Sequence, residues 1–137
     1  MAEKILIVDD EVDMLGLLKL IIADKTDYAV DTTNNPFEVI DLIKTGDYEV
    51  LITDLKMPGI HGIEFVDQVK EIDEYLPVII ITAYGSAESA EEAMAKGAYD
   101  YITKPFRKEQ ILITIDGAME WRKMKRELSF LKGKIGH

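Results

Sequence analysis

Three short, uninterrupted apolar runs constrain the fold of this 137-residue chain more than any other feature of the sequence. The runs occupy residues 5–8, 50–52 and 78–81, and most of their side chains are β-branched. A continuous apolar run of this length is typical of a strand that is covered on both faces, as the strands of a parallel sheet are. The sequence therefore predicts buried parallel strands at these positions.

Stretches with a helical spacing of apolar residues lie between these runs, at residues 14–22, 37–43 and 63–72. Weaker signals complete the count, with strands near 28–32 and 99–103 and helices near 87–96 and from 107 onward. Regular alternation of strand and helix is typical of an α/β fold, in which right-handed crossovers place helices on both faces of a doubly wound parallel sheet. We expect one compact domain with five strands.

Composition excludes several classes of site and location. The chain contains no cysteine, which excludes disulfides, thiolate zinc sites, iron–sulfur clusters and a cysteine nucleophile. Its 16 basic and 26 acidic side chains give a formal net charge of −10, and an acidic surface repels phosphate backbones. No apolar run approaches the roughly 18 residues that a membrane span needs. We therefore expect a cytoplasmic protein that binds neither nucleic acid nor membrane directly.

The charge is distributed unevenly along the chain. Residues 1–103 contain 7 basic and 22 acidic side chains, whereas residues 104–137 contain 9 basic and 4 acidic ones. The C-terminal quarter therefore presents a different kind of surface from the rest of the chain.

Chemically active side chains follow the predicted strands. Asp9 and Asp10 end the first strand, Asp54 ends the third, Thr82 ends the fourth and Lys104 follows the fifth. Ligands of an open parallel sheet bind outside the carboxyl ends of its strands, so these side chains should converge. Three carboxylates in one place repel one another unless a hard divalent cation such as Mg²⁺ neutralises them. A carboxylate beside a cation, an ammonium and a hydroxyl is well placed to attack a phosphoryl group.

Four sequence motifs carry a resemblance to a known family. They are ILIVDDE at residues 5–11, LITDLKMPG at 51–59 followed by Gly62, ITA at 81–83 and DYITKPF at 100–106. In this order and spacing they resemble the receiver domain of two-component response regulators over about residues 3–120. The resemblance implies a flavodoxin-like sheet with strand order 2-1-3-4-5.

The resemblance also implies roles for individual residues. Asp54 would accept a phosphoryl group from a histidine kinase, and Thr82 and Lys104 would contact the phosphoryl oxygens. Thr82 and Tyr101 would form the switch, the tyrosine moving inward as the threonine moves toward the phosphate. A cis bond between Lys104 and Pro105 is a further family feature, although an isolated bond of this type favours trans.

Mg²⁺ is the cofactor that the resemblance implies. Asp10, Asp54 and the backbone carbonyl of Lys56 would bind the ion directly, and Asp9 would act through a metal-bound water.

Each of these site residues, taken alone, has an ordinary structural alternative. Acids at strand ends often cap the next helix, Thr82 is a common strand residue, and Tyr101 could be a half-buried strand aromatic.

Two enzymatic or cofactor-binding alternatives can be weighed from the sequence. A haloacid-dehalogenase-like phosphatase also forms an aspartyl phosphate, but it requires a second Asp where this chain has Lys56. A flavodoxin-like mononucleotide binder requires a Ser, Thr and Gly-rich loop after the first strand, and acids 9–11 would repel a phosphate there. We therefore expect a signalling switch that phosphorylates and dephosphorylates itself, not a turnover enzyme.

The C-terminal segment predicts a long helix, about residues 107–135, with an apolar seam spaced 3, 4, 3 and 4. The seam consists of Trp121, Met124, Leu128, Leu131 and Ile135. We expect a receiver domain at residues 1–120 and a helical linker at 121–137 that pairs with a second chain in a homodimer. A stripe that packs on its own domain is the alternative.

The receiver and linker together most resemble the sigma-54-dependent transcription activators of the nitrogen-regulation type. That resemblance implies an output domain in a longer chain, with an ATPase and a DNA-binding unit. A receiver without an output domain, or with another kind of output, remains open.

Overall fold

The computed structural model describes residues 3–54, 56–57, 60–83 and 87–135. Strands, helices and one 3₁₀ turn alternate along these ranges: β1 Lys4–Val8, α1 Val12–Lys25, β2 Ala29–Thr33, the 3₁₀ turn Pro36–Glu38, α2 Val39–Thr45, β3 Tyr48–Thr53, β4 Lys56–Met57, β5 Ile60–His61, α3 Gly62–Ile72, β6 Val78–Thr82, α4 Ala87–Ala95, β7 Asp100–Thr103 and α5 Lys108–Ile135. The helix predicted at 37–43 begins as the 3₁₀ turn, where the side chain of Asn35 accepts a hydrogen bond from the N–H of Phe37.

Five strands form one parallel sheet in the order β2-β1-β3-β6-β7. Two-residue strands β4 and β5 pair with each other in a separate antiparallel ribbon. When the ribbon is left out of the numbering, the order is 2-1-3-4-5, so the predicted flavodoxin-like fold is confirmed. The ribbon itself was not predicted, because two-residue strands have no periodicity to detect.

Both faces of the sheet are covered, which explains why the strand runs are continuously apolar. Leu6, Leu51 and Ile80 point to the face covered by α2, α3 and α4. Ile5, Ile52 and their neighbours point to the face covered by α1 and α5. Alternate residues of a strand lie on opposite faces, so both sets must be apolar.

Helix α5 confirms the predicted long C-terminal helix and extends well beyond its packing on the sheet. Its apolar contacts with the core come from residues such as Ile111, Ile115 and Met119. Among the seam residues, Met124, Leu128 and Leu131 are each at least half exposed, whereas the ring of Trp121 packs at 6.1 Å from that of Tyr99 within the same chain. The side chain of Ile135 lies outside the described part of the structure.

Within the described residues, none of the helices combines the length and the apolar character that a membrane span requires.

Candidate functional site

The carboxyl edge of the sheet brings together the residues that end strands β1, β3, β6 and β7. The ammonium of Lys104 lies 3.1 Å from a carboxylate oxygen of Asp9 and 3.2 Å from one of Asp54. The backbone N–H of Lys104 donates to the carbonyl of Thr82 over 2.9 Å, which ties the segment after β7 to the end of β6. Asp9, Asp54 and Lys104, which are 45 to 95 positions apart in sequence, therefore converge as the strand ends predict.

Lys104 is the cation of this cluster and is largely enclosed, with a tenth of its side chain exposed. Burial lowers the pKa of its ammonium, but its hydrogen bonds and charge contacts with Asp9 and Asp54 outweigh burial and hold the pKa above its ordinary value. Glu11 approaches the same ammonium at 3.5 Å from the exposed side. Lys104 therefore stays protonated and faces three carboxylates.

Asp9 and Asp54 are both buried. Burial is the main reason that the pKa of Asp9 is raised, and the negative charge of Asp54 raises it further. The N–H of Glu11, which donates to Asp9 over 2.9 Å, and the contacts with Lys104 act in the opposite direction without cancelling the rise. Burial that the contacts with Lys104 and Glu11 do not fully offset therefore disfavours the charged form of Asp9.

The geometry of the acids fits a divalent cation. One carboxylate oxygen from each of Asp9, Asp10, Glu11 and Asp54 lies within 4.8 Å of the others. These donors are all oxygens, the ligand type that Mg²⁺ prefers, and the exposed positions of Asp10 and Glu11 leave room for water. Lys56, whose carbonyl the resemblance implies as a ligand, lies in β4, two residues after Asp54.

Glu11 is the member of this cluster that the sequence argument did not assign to the site. The signal for it was present, because it is the third acid of the run that follows β1. Acids are also common at the start of a helix because they interact favourably with its dipole, so the run alone did not identify Glu11.

Thr82 and Tyr101 lie on neighbouring strands beside the acids. Thr82 is fully buried at the end of β6, and Tyr101 is partly buried against the core on the α2–α4 side. Tyr101 pairs with Ile80, while Thr82 pairs with Thr103, two residues further along the same ladder. Residues two apart on a strand share a face, so Thr82 and Tyr101 lie diagonally on one face. The bond between Lys104 and Pro105 is cis.

Comparison with known proteins shows the family to which this chain belongs. The family described as the response regulator receiver domain matches residues 5–116. The nitrogen assimilation regulatory protein NtrX of Azorhizobium caulinodans is 33% identical over 134 residues, which cover 96% of this chain and 29% of NtrX. The chemotaxis protein CheY of Halobacterium salinarum is 34% identical over 119 residues, covering 87% of this chain and 98% of that protein.

A solved structure is similar in both sequence and fold. The beryllofluoride-activated NtrC4 receiver domain dimer is 36% identical, with a TM-score of 0.82 over 87% of this chain and 98% of the NtrC4 chain. This chain thus spans less than a third of the NtrX relative and nearly the whole of the CheY relative.

Proposed function

Because this chain belongs to the family of response regulator receiver domains, we propose that it is a phosphorylation-controlled switch in which Asp54 accepts a phosphoryl group from a histidine kinase. One observation carries the assignment to Asp54. Asp54 is a buried carboxylate at the end of a central strand, it contacts Lys104, and the described side chains around it include more carboxylates than cations. A carboxylate in this setting gains from the arrival of a cation and a phosphoryl group together.

The proposed transfer uses the side chains as they stand. A carboxylate oxygen of Asp54 attacks the phosphorus, the bond between phosphorus and the imidazole nitrogen of the donor breaks, and the imidazole leaves with that electron pair. The ammonium of Lys104 lies 3.2 Å from a carboxylate oxygen of Asp54 before transfer. It can then form an ion pair with a phosphoryl oxygen once Asp54 carries the phosphoryl group. Thr82 donates its hydroxyl to a second phosphoryl oxygen. Asp10, Asp54 and the Lys56 carbonyl would hold Mg²⁺ directly and Asp9 would hold it through water, and the bound ion would supply positive charge beside the phosphoryl oxygens.

The assignment is tested by incubating the full chain with acetyl phosphate and measuring its intact mass. We expect the mass of one phosphoryl group to be added when Mg²⁺ is present and not when it is chelated, and we expect Asp54→Ala to abolish the gain. Asp24→Ala is the matched control, since Asp24 is an exposed acid on α1. Single-site modification that survives in Asp54→Ala would refute the assignment.

We assign the switch to Thr82 and Tyr101. When the hydroxyl of Thr82 moves toward phosphate, it vacates space on the face that it shares with Tyr101. The ring of Tyr101 either fills that space or stays out of it, so the switch has two states. The Thr82→Ala chain should still accept phosphate while α4, β7 and α5 keep their resting NMR shifts. Normal activation shifts in that variant would contradict the switch.

We place this chain in the cytoplasm, as a receiver that acts on an output domain and as a homodimer through α5. Relatives named as regulatory proteins, such as NtrX and the transcriptional regulatory protein ZraR of Klebsiella oxytoca, are far longer than the part that matches this chain, which supports a transcriptional output. The CheY relative supports a receiver without one. An ATPase and a DNA-binding unit in that output stay a prediction from the resemblance. The exposed Met124, Leu128 and Leu131 support the dimer, and the NtrC4 receiver is itself a dimer. The boundary at residue 120 stays a prediction.

Sedimentation of the full chain tests the dimer. Leu128→Ser combined with Leu131→Ser should make the chain monomeric, because burial of each leucine contributes roughly 1.5–3 kcal/mol. Ile113→Ser, which changes an exposed residue on the first half of α5, is the matched control. A full chain that is monomeric at high concentration would overturn the proposed dimer.

A further inference from the structure

A second ion cluster lies at the amino end of the sheet, where α5 passes the start of β3. Arg122 is buried and donates two parallel hydrogen bonds to Asp73, over 2.9 and 2.8 Å. Its Nε donates to Glu49 over 3.1 Å, and Arg126 donates to the other oxygen of Glu49 over 2.9 Å. We call these four residues the α5 clasp.

The clasp joins three elements that are distant in sequence. Glu49 is the second residue of β3, the strand whose far end carries Asp54, and Asp73 directly follows α3. Arg122 and Arg126 are one helical turn apart, so both face the same side of α5. The clasp is therefore a contact between the body of the domain and the part of α5 that continues beyond it.

The apolar packing of α5 on the sheet ends before the clasp. Met119 is the last residue of α5 in the buried core, and from Glu127 to Leu131 every side chain is exposed. Between them, Trp121 contacts Tyr99 and lies 5.3 Å from the ammonium of Lys70. Beyond Met119, this aromatic contact and the clasp both tie α5 to the domain.

The chemistry of the clasp is directional. The planar guanidinium of Arg122 fits a carboxylate in one plane, so the bidentate pair with Asp73 fixes an orientation as well as a distance. A cavity of about 320 Å³ that is lined in part by Lys44, Asp73, Arg122 and Arg126 brings solvent to one side of the clasp. An ion cluster open to water can dissociate at a lower cost than one sealed in the core.

We propose that the α5 clasp sets the direction in which residues 123–135 leave the domain, and that it is a releasable anchor. With the clasp closed, the far half of α5 continues rigidly from the domain. With the clasp open, the helix hinges near Trp121. A further consequence is that the clasp orients whatever follows α5 in a longer chain, and this consequence rests on the proposed function. The effect of the clasp on the direction of the helix is independent of that function.

The absence of native cysteine makes a distance measurement on the full chain unambiguous. One spin label is placed at Asp41→Cys on α2, which covers the opposite face of the sheet, and the other at Glu127→Cys beyond the clasp. Both positions are exposed. Labelled chains are diluted with unlabelled chains so that pulsed dipolar spectroscopy reports distances within one molecule.

The proposal predicts one narrow distance distribution for the parent chain and a broad or shifted one for Arg122→Met. Lys123→Met, which removes an exposed charge at the next position, should leave the distribution narrow. Glu49→Gln combined with Asp73→Asn keeps both arginines and should broaden the distribution as Arg122→Met does. A second label pair, Asp41→Cys with Ile113→Cys, reports the near half of α5 and should stay narrow throughout.

Two results would overturn the proposal. If neither clasp variant changes the distance from Asp41 to Glu127, the clasp does not orient the helix. If the distance from Asp41 to Ile113 broadens as well, the variants loosen the whole domain and the clasp is only part of its general stability. The measurement uses unphosphorylated protein, so a failure to phosphorylate Asp54 would contradict the proposed function without altering this outcome.

Discussion

The two ion clusters lie at opposite edges of one sheet and differ in their balance of charge. At the carboxyl edge, Lys104 contacts three carboxylates, and Asp10 adds a fourth to the same cluster, so within the described residues carboxylates outnumber cations there. At the amino edge the two cations of the α5 clasp face two carboxylates. The excess of carboxylates at the carboxyl edge favours the binding of a further cation there. At the amino edge the clasp has as many cations as carboxylates, so no further cation is needed to balance the charge.

One aspartate from each cluster, the buried Asp9 and the partly buried Asp73, shows the difference in pKa. Burial raises the pKa of Asp9, and the neighbouring charge of Lys104 does not reverse the rise. Burial also acts to raise the pKa of Asp73, but the hydrogen bonds and charge of Arg122 outweigh it and hold the pKa below its ordinary value. The cations differ too, because a lysine ammonium can change partners easily, whereas an arginine fork fixes its partner's orientation.

Removal of one charge from each cluster should have the largest effect. Arg122→Met leaves Asp73 and Glu49 without their shared cation, and the loss of charged hydrogen bonds at a cluster that is partly open to solvent costs about 2 kcal/mol in the free energy of unfolding. Asp54→Asn instead relieves repulsion among carboxylates and should cost less than about 1 kcal/mol. Urea unfolding measures both, with Lys123→Met as the matched surface control. Equal losses at the two edges would contradict the comparison.

Addition of Mg²⁺ should stabilise the chain through the carboxyl edge and not through the clasp, with a smaller change in the free energy of unfolding. At a free concentration ten times its dissociation constant, an ion that binds only the folded chain stabilises it by about 1.4 kcal/mol. We expect this gain in the parent chain and in Lys123→Met, and we expect it to disappear in Asp54→Ala. Thermal unfolding with and without Mg²⁺ is the measurement. A full gain in Asp54→Ala would show that the ion binds elsewhere.

The dependence of stability on pH should have opposite signs at the two edges. The pKa of Asp73 is lowered by the clasp, so its contribution is complete above the ordinary value of 3.8 and is lost as the pH falls through the lower folded value. The pKa of Asp9 is raised, so in metal-free buffer proton uptake favours the folded chain as the pH falls through the raised value toward 3.8.

These small effects are measured as differences in unfolding free energy between the parent chain and each of Asp73→Asn and Asp9→Asn across the acid range. The difference for Asp73→Asn should stay constant down to about pH 4 and shrink below it. For Asp9→Asn the difference should change at higher pH and in the other direction. If the two differences in unfolding free energy changed with pH in parallel, the predicted contrast between the two edges would be wrong.

The carboxyl edge could be predicted from sequence because strand ends are local signals. Buried runs identify the strands, the residue after each run lies at one edge, and the parallel topology collects Asp9, Asp54 and Lys104 there. The clasp could not be predicted in this way. Arg122 is 49 positions from Asp73 and 73 from Glu49, and charged residues on helices are most often exposed.

The apolar seam was predictable only in part for a similar reason. A spacing of 3 and 4 identifies one side of a helix, but it does not show where along the helix the domain ends. Trp121 lies on the seam in sequence, yet it contacts Tyr99 and Lys70 of its own chain, whereas Met124, Leu128 and Leu131, further along the helix, are exposed.

Chemical mapping of the phosphoryl group tests the central claim most directly. The full chain is treated with acetyl phosphate and Mg²⁺, and borohydride then reduces the aspartyl phosphate to homoserine, which tandem mass spectrometry locates in the sequence. Our account predicts homoserine at position 54, with Asp9, Asp10 and Asp73 unchanged. Homoserine at any of those other positions, with Asp54 intact, would contradict it.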